Sequence, residues 1–317
     1  MAKYRSDLPQ LKGGDFLSDG GMETTLIFLE GQDLPHFASF TLMATPEGRQ
    51  RLRDYYVRYL TIARQRGAGF ILDTPTWRAN PDWGWQLGYG PDALRAVNED
   101  SIALLLGLRQ EFETSETPCV ISGAIGPRGD GYKAGRMEAE EAADYHAAQI
   151  QTFARTEADM VAAYTINTVE EAIGIASAAK AARMPCMISF TVETDGRLVT
   201  GLSLGDAINR VDDATGGSPA YYMINCAHPT HFMQALERGE KWVNRVHGVK
   251  ANASAKSHAE LDESTTLDAG DPHDLGRRYS MLRDQFPAMR ILGGCCGTDH
   301  RHIAAICEAC LPEAKAA

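Results

Sequence analysis

A chain of 317 residues, 44% hydrophobic and 23% charged, has the balance of a globular protein with a sizeable core. Its net charge of −11 argues against nucleic acid as the main partner. With no apolar run of about 18 residues, no membrane span is expected.

In chain order, residues 15–18 predict a short first strand that ends at Asp19-Gly20-Gly21. A helix over about 46–66 follows, with Leu52, Tyr56, Tyr59, Leu60 and Ala63 near helical spacing, and Gly67-Ala68-Gly69 stops it. Residues 70–73 read as a second strand, and a helix is expected over about 91–113. The third strand is 119–123, followed by a polar, alanine-rich helix over about 138–156. Residues 160–163 and 185–190 read as strands four and five, with a helix over 169–182 between them. A helix at 204–214 leads to strand six at 221–225. A helix over about 230–238 precedes strand seven at 245–249, and one over 271–286 precedes strand eight at 290–292. A last, polar helix covers 299–310, and the small polar tail from Glu313 is expected to fray.

Eight short strands, apolar throughout, alternate with helices. Strands buried on both faces belong to parallel β-α-β units, and eight such units over about 300 residues predict a closed (β/α)8 barrel. No linker or low-complexity segment divides the chain, so a single domain is expected over 1–317, with its core over about 15–311. Asp19, Asp73, Ser122, Tyr164, Thr191, Cys226, Asn252 and Cys295 all fall at or just past strand carboxyl ends. In a barrel those ends share one rim, where active sites are built.

The stretch Gly293-Gly294-Cys295-Cys296-Gly297-Thr298 places two thiols on a sharp strand-to-helix turn. Cys226 ends strand six and offers a third thiol from across the barrel mouth. Three thiolates leave one position open on a zinc ion, the pattern of a catalytic site. Two other readings stand beside it: small core residues, or a redox or iron–sulfur pair, for which no fourth spaced cysteine is evident. His228 is assigned a loop role, because three cysteines suffice. Cys119, Cys186, Cys307 and Cys310 read as packing residues. The odd, uneven set of seven cysteines does not form a disulfide framework. The N-terminal residues have no apolar stretch behind them to act as a signal peptide, so the expected setting is a reducing cytoplasm.

Gly-Gly-Cys-Cys-Gly-Thr after a strand, with an upstream Asn225-Cys226, resembles the homocysteine S-methyltransferase family. So do Asp19-Gly20-Gly21-Met22-Glu23-Thr24, Ile125-Gly126-Pro127 and Ser189-Phe190-Thr191, in that family's order. The resemblance spans about residues 15–310. It implies a zinc-dependent enzyme, with Zn2+ on Cys226, Cys295 and Cys296, that passes a methyl group to homocysteine and yields methionine. It places Asp19, Gly20, Gly21, Glu23, Thr24, Tyr164 and Asn225 around the substrate, with Asp19 holding the acceptor's amino group. Asp19 also reads as a helix N-cap. The implied partners are a small-molecule thiol and a cationic methyl donor, because a methyl group leaves only from a good leaving group. A homo-oligomer is compatible with the sequence and is not dictated by it.

Three of the four tryptophans, Trp77, Trp83 and Trp85, lie within nine residues after strand two. Their faces suit an onium methyl group, or they cover the rim or an oligomer contact. Arg78 suits a carboxylate or the surface, and Arg128 and Tyr132 carry the same two readings. One departure stands out. Where relatives place a Glu after strand four, this chain has Ala163-Tyr164. Either the amine is held differently, with Glu23 or another rim acid filling the gap, or the acceptor is a thiol without a free amine. The rivals to the main reading are a different thiol acceptor or onium demethylation on the same barrel, and a non-catalytic zinc- or thiol-binding protein.

Overall fold

The computed structural model describes residues 1–236 and 239–311. Eight parallel strands close into a barrel in sequence order. They are β1 (Phe16–Leu17), β2 (Gly69–Asp73), β3 (Cys119–Ile125), β4 (Met160–Ile166), β5 (Cys186–Phe190), β6 (Tyr221–Asn225), β7 (Val246–Ala251) and β8 (Ile291–Gly294). The helices that return the chain are α1 (Pro46–Arg66), α2 (Pro91–Phe112), α3 (Ala139–Ala154), α4 (Val169–Ala181), α5 (Leu204–Thr215), α6 (Pro229–Phe232), α7 (Pro272–Gln285) and α8 (His300–Cys310). The (β/α)8 expectation is therefore met. No helix among the described residues is long and apolar enough to cross a membrane.

Local chemistry sets these elements. The α1 helix starts at Thr45, whose hydroxyl accepts from Gly48 N, has proline at its first position, and ends at Gly67 in the left-handed region at φ 60°. Its buried stripe, Leu52, Tyr55, Tyr56, Tyr59, Leu60 and Ala63, packs on the sheet. Inside the barrel sits a separate apolar cluster that includes Phe16, Ile71, Val120, Met160, Met187 and Tyr221. The two clusters follow from strand geometry, because alternate side chains point inward and outward.

The amino-terminal end of the barrel is sealed by the first residues of the chain. Arg5 donates to the carbonyls of Ala154, Thr156 and Ala158. Gln10 donates to the Tyr221 hydroxyl at 3.4 Å. Beneath them Arg109 and Asp159 form a buried ion pair at 2.7 Å, and Asp159 also accepts from the amides of Tyr4 and Ile121. With this end closed, the carboxyl-terminal rim is the open face.

Several elements depart from the sequence expectations. The β4 strand runs on to Ile166, with its register broken between Ala163 and Ile166, so Tyr164 lies within the strand and its side chain joins the barrel interior. Thr165 takes φ 62° there, a conformation that no local propensity announces. The β7 strand continues past Val249 to Ala251, which brings Lys250 into the barrel. The helix expected over 230–238 is the single turn α6, started by proline and ended by residue 232; Glu237 and Arg238 of that expectation lie outside the described residues. The loop after β2 contains a short helix, Pro81–Gln86, capped by Asn80. The first rim turn leads into short helical segments, Met22–Thr24, Thr25–Leu29, Pro35–Phe37 and Ser39–Ala44. The tail from Glu313, expected to fray, lies outside the described residues.

On α7, Tyr279 locks the rim ends of β7 and β8. Its hydroxyl accepts from Ala251 N at 2.9 Å and donates to Gly293 O at 2.6 Å. Tyr279→Phe leaves a buried amide and a buried carbonyl without this partner, and is expected to cost about 1–3 kcal/mol in urea unfolding.

Candidate functional site

The site is built where β6, β7 and β8 end. Cys226 follows β6 with φ 54°, a left-handed conformation for a non-glycine residue. Its carbonyl holds it there, accepting from Asn252 Nδ2 at 3.0 Å and from His258 Nε2 at 2.6 Å. Cys295 and Cys296 sit on the turn after β8, and Gly297 at φ 80° completes it. The β7 strand lies between the two cysteine turns and binds both. Cys226 N donates to Lys250 O at 3.1 Å, Cys295 N to Ala251 O at 2.8 Å, and Ala253 N to Cys296 O at 3.0 Å.

These bonds bring the sulfurs of Cys226, Cys295 and Cys296 within 4.8 Å of one another. Cys226 and Cys295 are paired as a disulfide with Cα atoms 5.4 Å apart, and Cys296 is a free thiol. When reduced, three thiolates on one point fit a zinc ion. Asn225 reaches the cluster: its Nδ2 lies 3.9 Å from Cys295 Sγ, and its Oδ1 accepts from Thr165 N and Ser189 Oγ. Thr165 Oγ1 stands 3.8 Å from Cys226 Sγ. Burial pushes the Cys296 thiol up to about 11, with Glu23 adding to the effect. Tyr132 lies against that thiol, and its ring packs 4.2 Å from the His258 ring.

The first rim turn braces the thiol turn. Gly21 N donates to Thr298 O at 3.0 Å, and Gly297 N donates to Thr24 Oγ1 at 3.1 Å. A Cβ on Gly21 would come within 2.5 Å of Cys295 O, and one on Gly20 within 2.9 Å of Thr298 O, so glycine is required at both. Gly20, Gly21 and Thr24, expected around the substrate, thus touch the thiol-bearing turn directly.

Asp19 does not cap a helix. It accepts from Lys250 Nζ at 2.6 Å and from Tyr55 OH at 3.1 Å. Lys250 also reaches Asp73 Oδ2 at 3.4 Å, which takes the Tyr164 hydroxyl at 2.7 Å. All five groups are buried. Burial works against the Lys250 ammonium, but Asp19 and Asp73 outweigh it and raise its pKa. Burial pushes the Asp73 carboxyl up, with Lys250 opposing. The sequence reading missed Lys250 because it ended β7 two residues too soon; the apolar–polar–apolar pattern Val249-Lys250-Ala251 was the available signal. It also missed His258, which has no signal beyond the helix cap at Ser257.

In the tryptophan loop the Arg78 guanidinium lies between two rings, 4.0 Å from the centroid of Trp77 and 4.1 Å from that of Trp83. The faces considered for an onium methyl group thus carry an internal cation. Trp85 is 81% exposed. Arg128 forms ion pairs with Asp82 and Glu141 at the surface. His228 caps α6 through Nδ1, outside the thiol cluster. Burial, with Arg278 and His231, pushes His228 down to about 4.

A sequence model of the homocysteine S-methyltransferase family matches residues 16–310. No curated protein matches the chain. Among solved structures, the chain is similar to the homocysteine methyltransferase MmuM from Escherichia coli. Its oxidized form has 20% identity and a TM-score of 0.71, with 92% of this chain and 94% of that chain covered. Its metallated form has 20% identity and a TM-score of 0.70, with 93% and 96% covered. At such identity the likeness speaks for the fold.

Lys250→Met leaves two buried carboxylates facing one another without their cation. It is expected to cost about 3–5 kcal/mol in urea unfolding, with part regained when Asp73→Asn is added.

Proposed function

Since the chain belongs to the homocysteine S-methyltransferase family and is a methyltransferase, we propose that it is zinc-dependent and moves a methyl group from a sulfonium or quaternary ammonium donor to homocysteine, yielding methionine. The observation that carries this reading is the convergence of Cys226, Cys295 and Cys296 at the rim, from two strands that are not neighbours.

Zinc on these three residues supplies Lewis acidity that keeps an acceptor thiol deprotonated near neutral pH. The chain's own groups do the rest. Gly21, Thr24 and the amide partners on β7 hold the thiol turn rigid, so the acceptor sulfur meets the methyl carbon in a fixed orientation. The acceptor's proton leaves to solvent. Its sulfur attacks the methyl carbon, a C–S bond forms, and the bond from carbon to the onium atom breaks. The electron pair stays on that atom, and the donor departs with one positive charge fewer. No nucleophilic serine or general base is called for. Tyr132, whose ring packs 4.2 Å from that of His258, is the aromatic side chain assigned here to attract an onium methyl group. The reading requires reduced cysteines, in keeping with a cytoplasmic setting.

The reduced protein is expected to bind about one zinc per chain, measured by metal analysis after gel filtration. Cys226→Ala, Cys295→Ala or Cys296→Ala should each remove most of the metal and most of the methyl transfer. Full zinc occupancy in Cys226→Ala would refute the site. The activity is tested by methyl transfer to homocysteine from a panel of sulfonium, quaternary ammonium and methyl-folate donors; turnover restricted to the folate would overturn the donor class.

A further inference from the structure

Lys250 is a resident ammonium inside the rim. Asp19 Oδ1 lies 2.6 Å from its Nζ, Asp73 Oδ2 lies 3.4 Å away, and the Tyr164 ring centroid lies 4.9 Å away. The remaining Asp19 oxygen takes the Tyr55 hydroxyl. The pair of acids that a ligand's ammonium would seek is therefore already matched by a side chain of the protein itself.

Two charged groups near the thiols are not matched. Glu23 accepts from Ser39 Oγ at 2.7 Å and has no cationic partner among the described residues. Arg78 donates to Gly129 O at 3.1 Å; its buried Nε has no hydrogen-bond partner, and no carboxylate bridges it among the described residues. Glu23 lies on the rim turn whose Gly21 packs against Cys295 O, and Trp77, whose ring stacks on Arg78, donates to Tyr164 O at 3.1 Å. Burial pushes the Arg78 guanidinium down to about 10 and the Glu23 carboxyl up. Half-buried charges without counter-ions are costly. One anion and one cation, both on loops of the open rim, are compensated together by a ligand that carries both charges.

Resting on the thiol methyltransferase reading, we propose that the acceptor's amino-acid head group is held by Glu23 at its ammonium and by Arg78 at its carboxylate, while Lys250 takes the cation position at Asp19 and Asp73. Arg78 is fixed for this task by the two tryptophan rings, and its planar fork meets a carboxylate at two oxygens. Glu23 sits on the rim turn that packs against Cys295, so head group and sulfur are addressed from adjoining segments. Asp19 becomes a positioning residue for Lys250.

The test is calorimetric titration of the zinc-loaded protein, without methyl donor, with homocysteine, 4-mercaptobutyrate, which lacks the amine, and 3-mercaptopropylamine, which lacks the carboxylate. Homocysteine should bind more tightly than either by about 10-fold or more. Glu23→Gln should erase its advantage over 4-mercaptobutyrate. Arg78→Lys, which keeps the charge and loses the fork, should shrink its advantage over 3-mercaptopropylamine. Equal binding of homocysteine and 4-mercaptobutyrate by the wild type, or an unaltered ratio in Glu23→Gln, overturns the assignment. A protein that passes this test and transfers no methyl group overturns the methyltransferase reading alone. Thiol binding that is indifferent to Glu23 and Arg78 overturns the head-group assignment alone, and no thiol binding at all overturns both.

Discussion

The site depends on the end of β7. Two turns that carry thiols stand on strands β6 and β8, which never touch as neighbours, and a short run of β7 backbone hydrogen-bonds to both. Lys250 O receives the Cys226 amide and Ala251 O receives the Cys295 amide, while Ala253 N binds Cys296 O. Barrel closure makes this possible, because it forces three consecutive parallel strands to end at one rim with their carbonyls pointing the same way. Tyr279 fastens the same place from the outside. A shift of β7 along its axis would separate the sulfurs, so the convergence of the thiols and barrel register are one constraint.

Charge at the rim is arranged in two layers. Deeper in the barrel, Lys250 compensates two acids and closes a network with Tyr55 and Tyr164. A buried cation with such partners rigidifies more than it stabilises, since desolvation offsets most of the Coulombic gain. Nearer the mouth, Glu23 and Arg78 are held by a serine, a carbonyl and two aromatic rings, without counter-ions among the described residues. The inner layer shapes the floor of the pocket, and the outer layer has electrostatic capacity to spare. This division also gives the tryptophan loop a use: its rings fix a guanidinium.

The opposite end of the barrel shows what a stability layer looks like by contrast. Arg5 caps carbonyls after α3, and Arg109 and Asp159 satisfy one another and the surrounding amides. Its ion pair is internally complete, as expected of the end of a barrel that does no chemistry.

Much of this was legible from the chain. Alternating short apolar runs and helical patterns required parallel β-α-β units, and eight of them required closure. Gly-Gly-Cys-Cys-Gly after an apolar run marked the thiol turn, because a Cβ on Gly294 would meet Thr298 and one on Gly297 would meet Asp268. The end of β6 marked Cys226 by the same strand logic. What the sequence left open was whatever depends on how far a strand runs and where its neighbours lie. Lys250 belongs to the barrel because β7 continues two residues beyond its apolar core, paired to β8 on one side and β6 on the other. Tyr164 turns inward because the β4 register breaks after it, a feature set by Asn225 holding Thr165 from another strand. Arg78 is half-buried because two tryptophans separated by six positions fold around it. The periodicity of side chains is a local property that the chain carries in itself. Strand ends, register breaks and charge partners are decided between segments far apart in the chain, 231 positions for Asp19 and Lys250, and only the closed barrel brings those together.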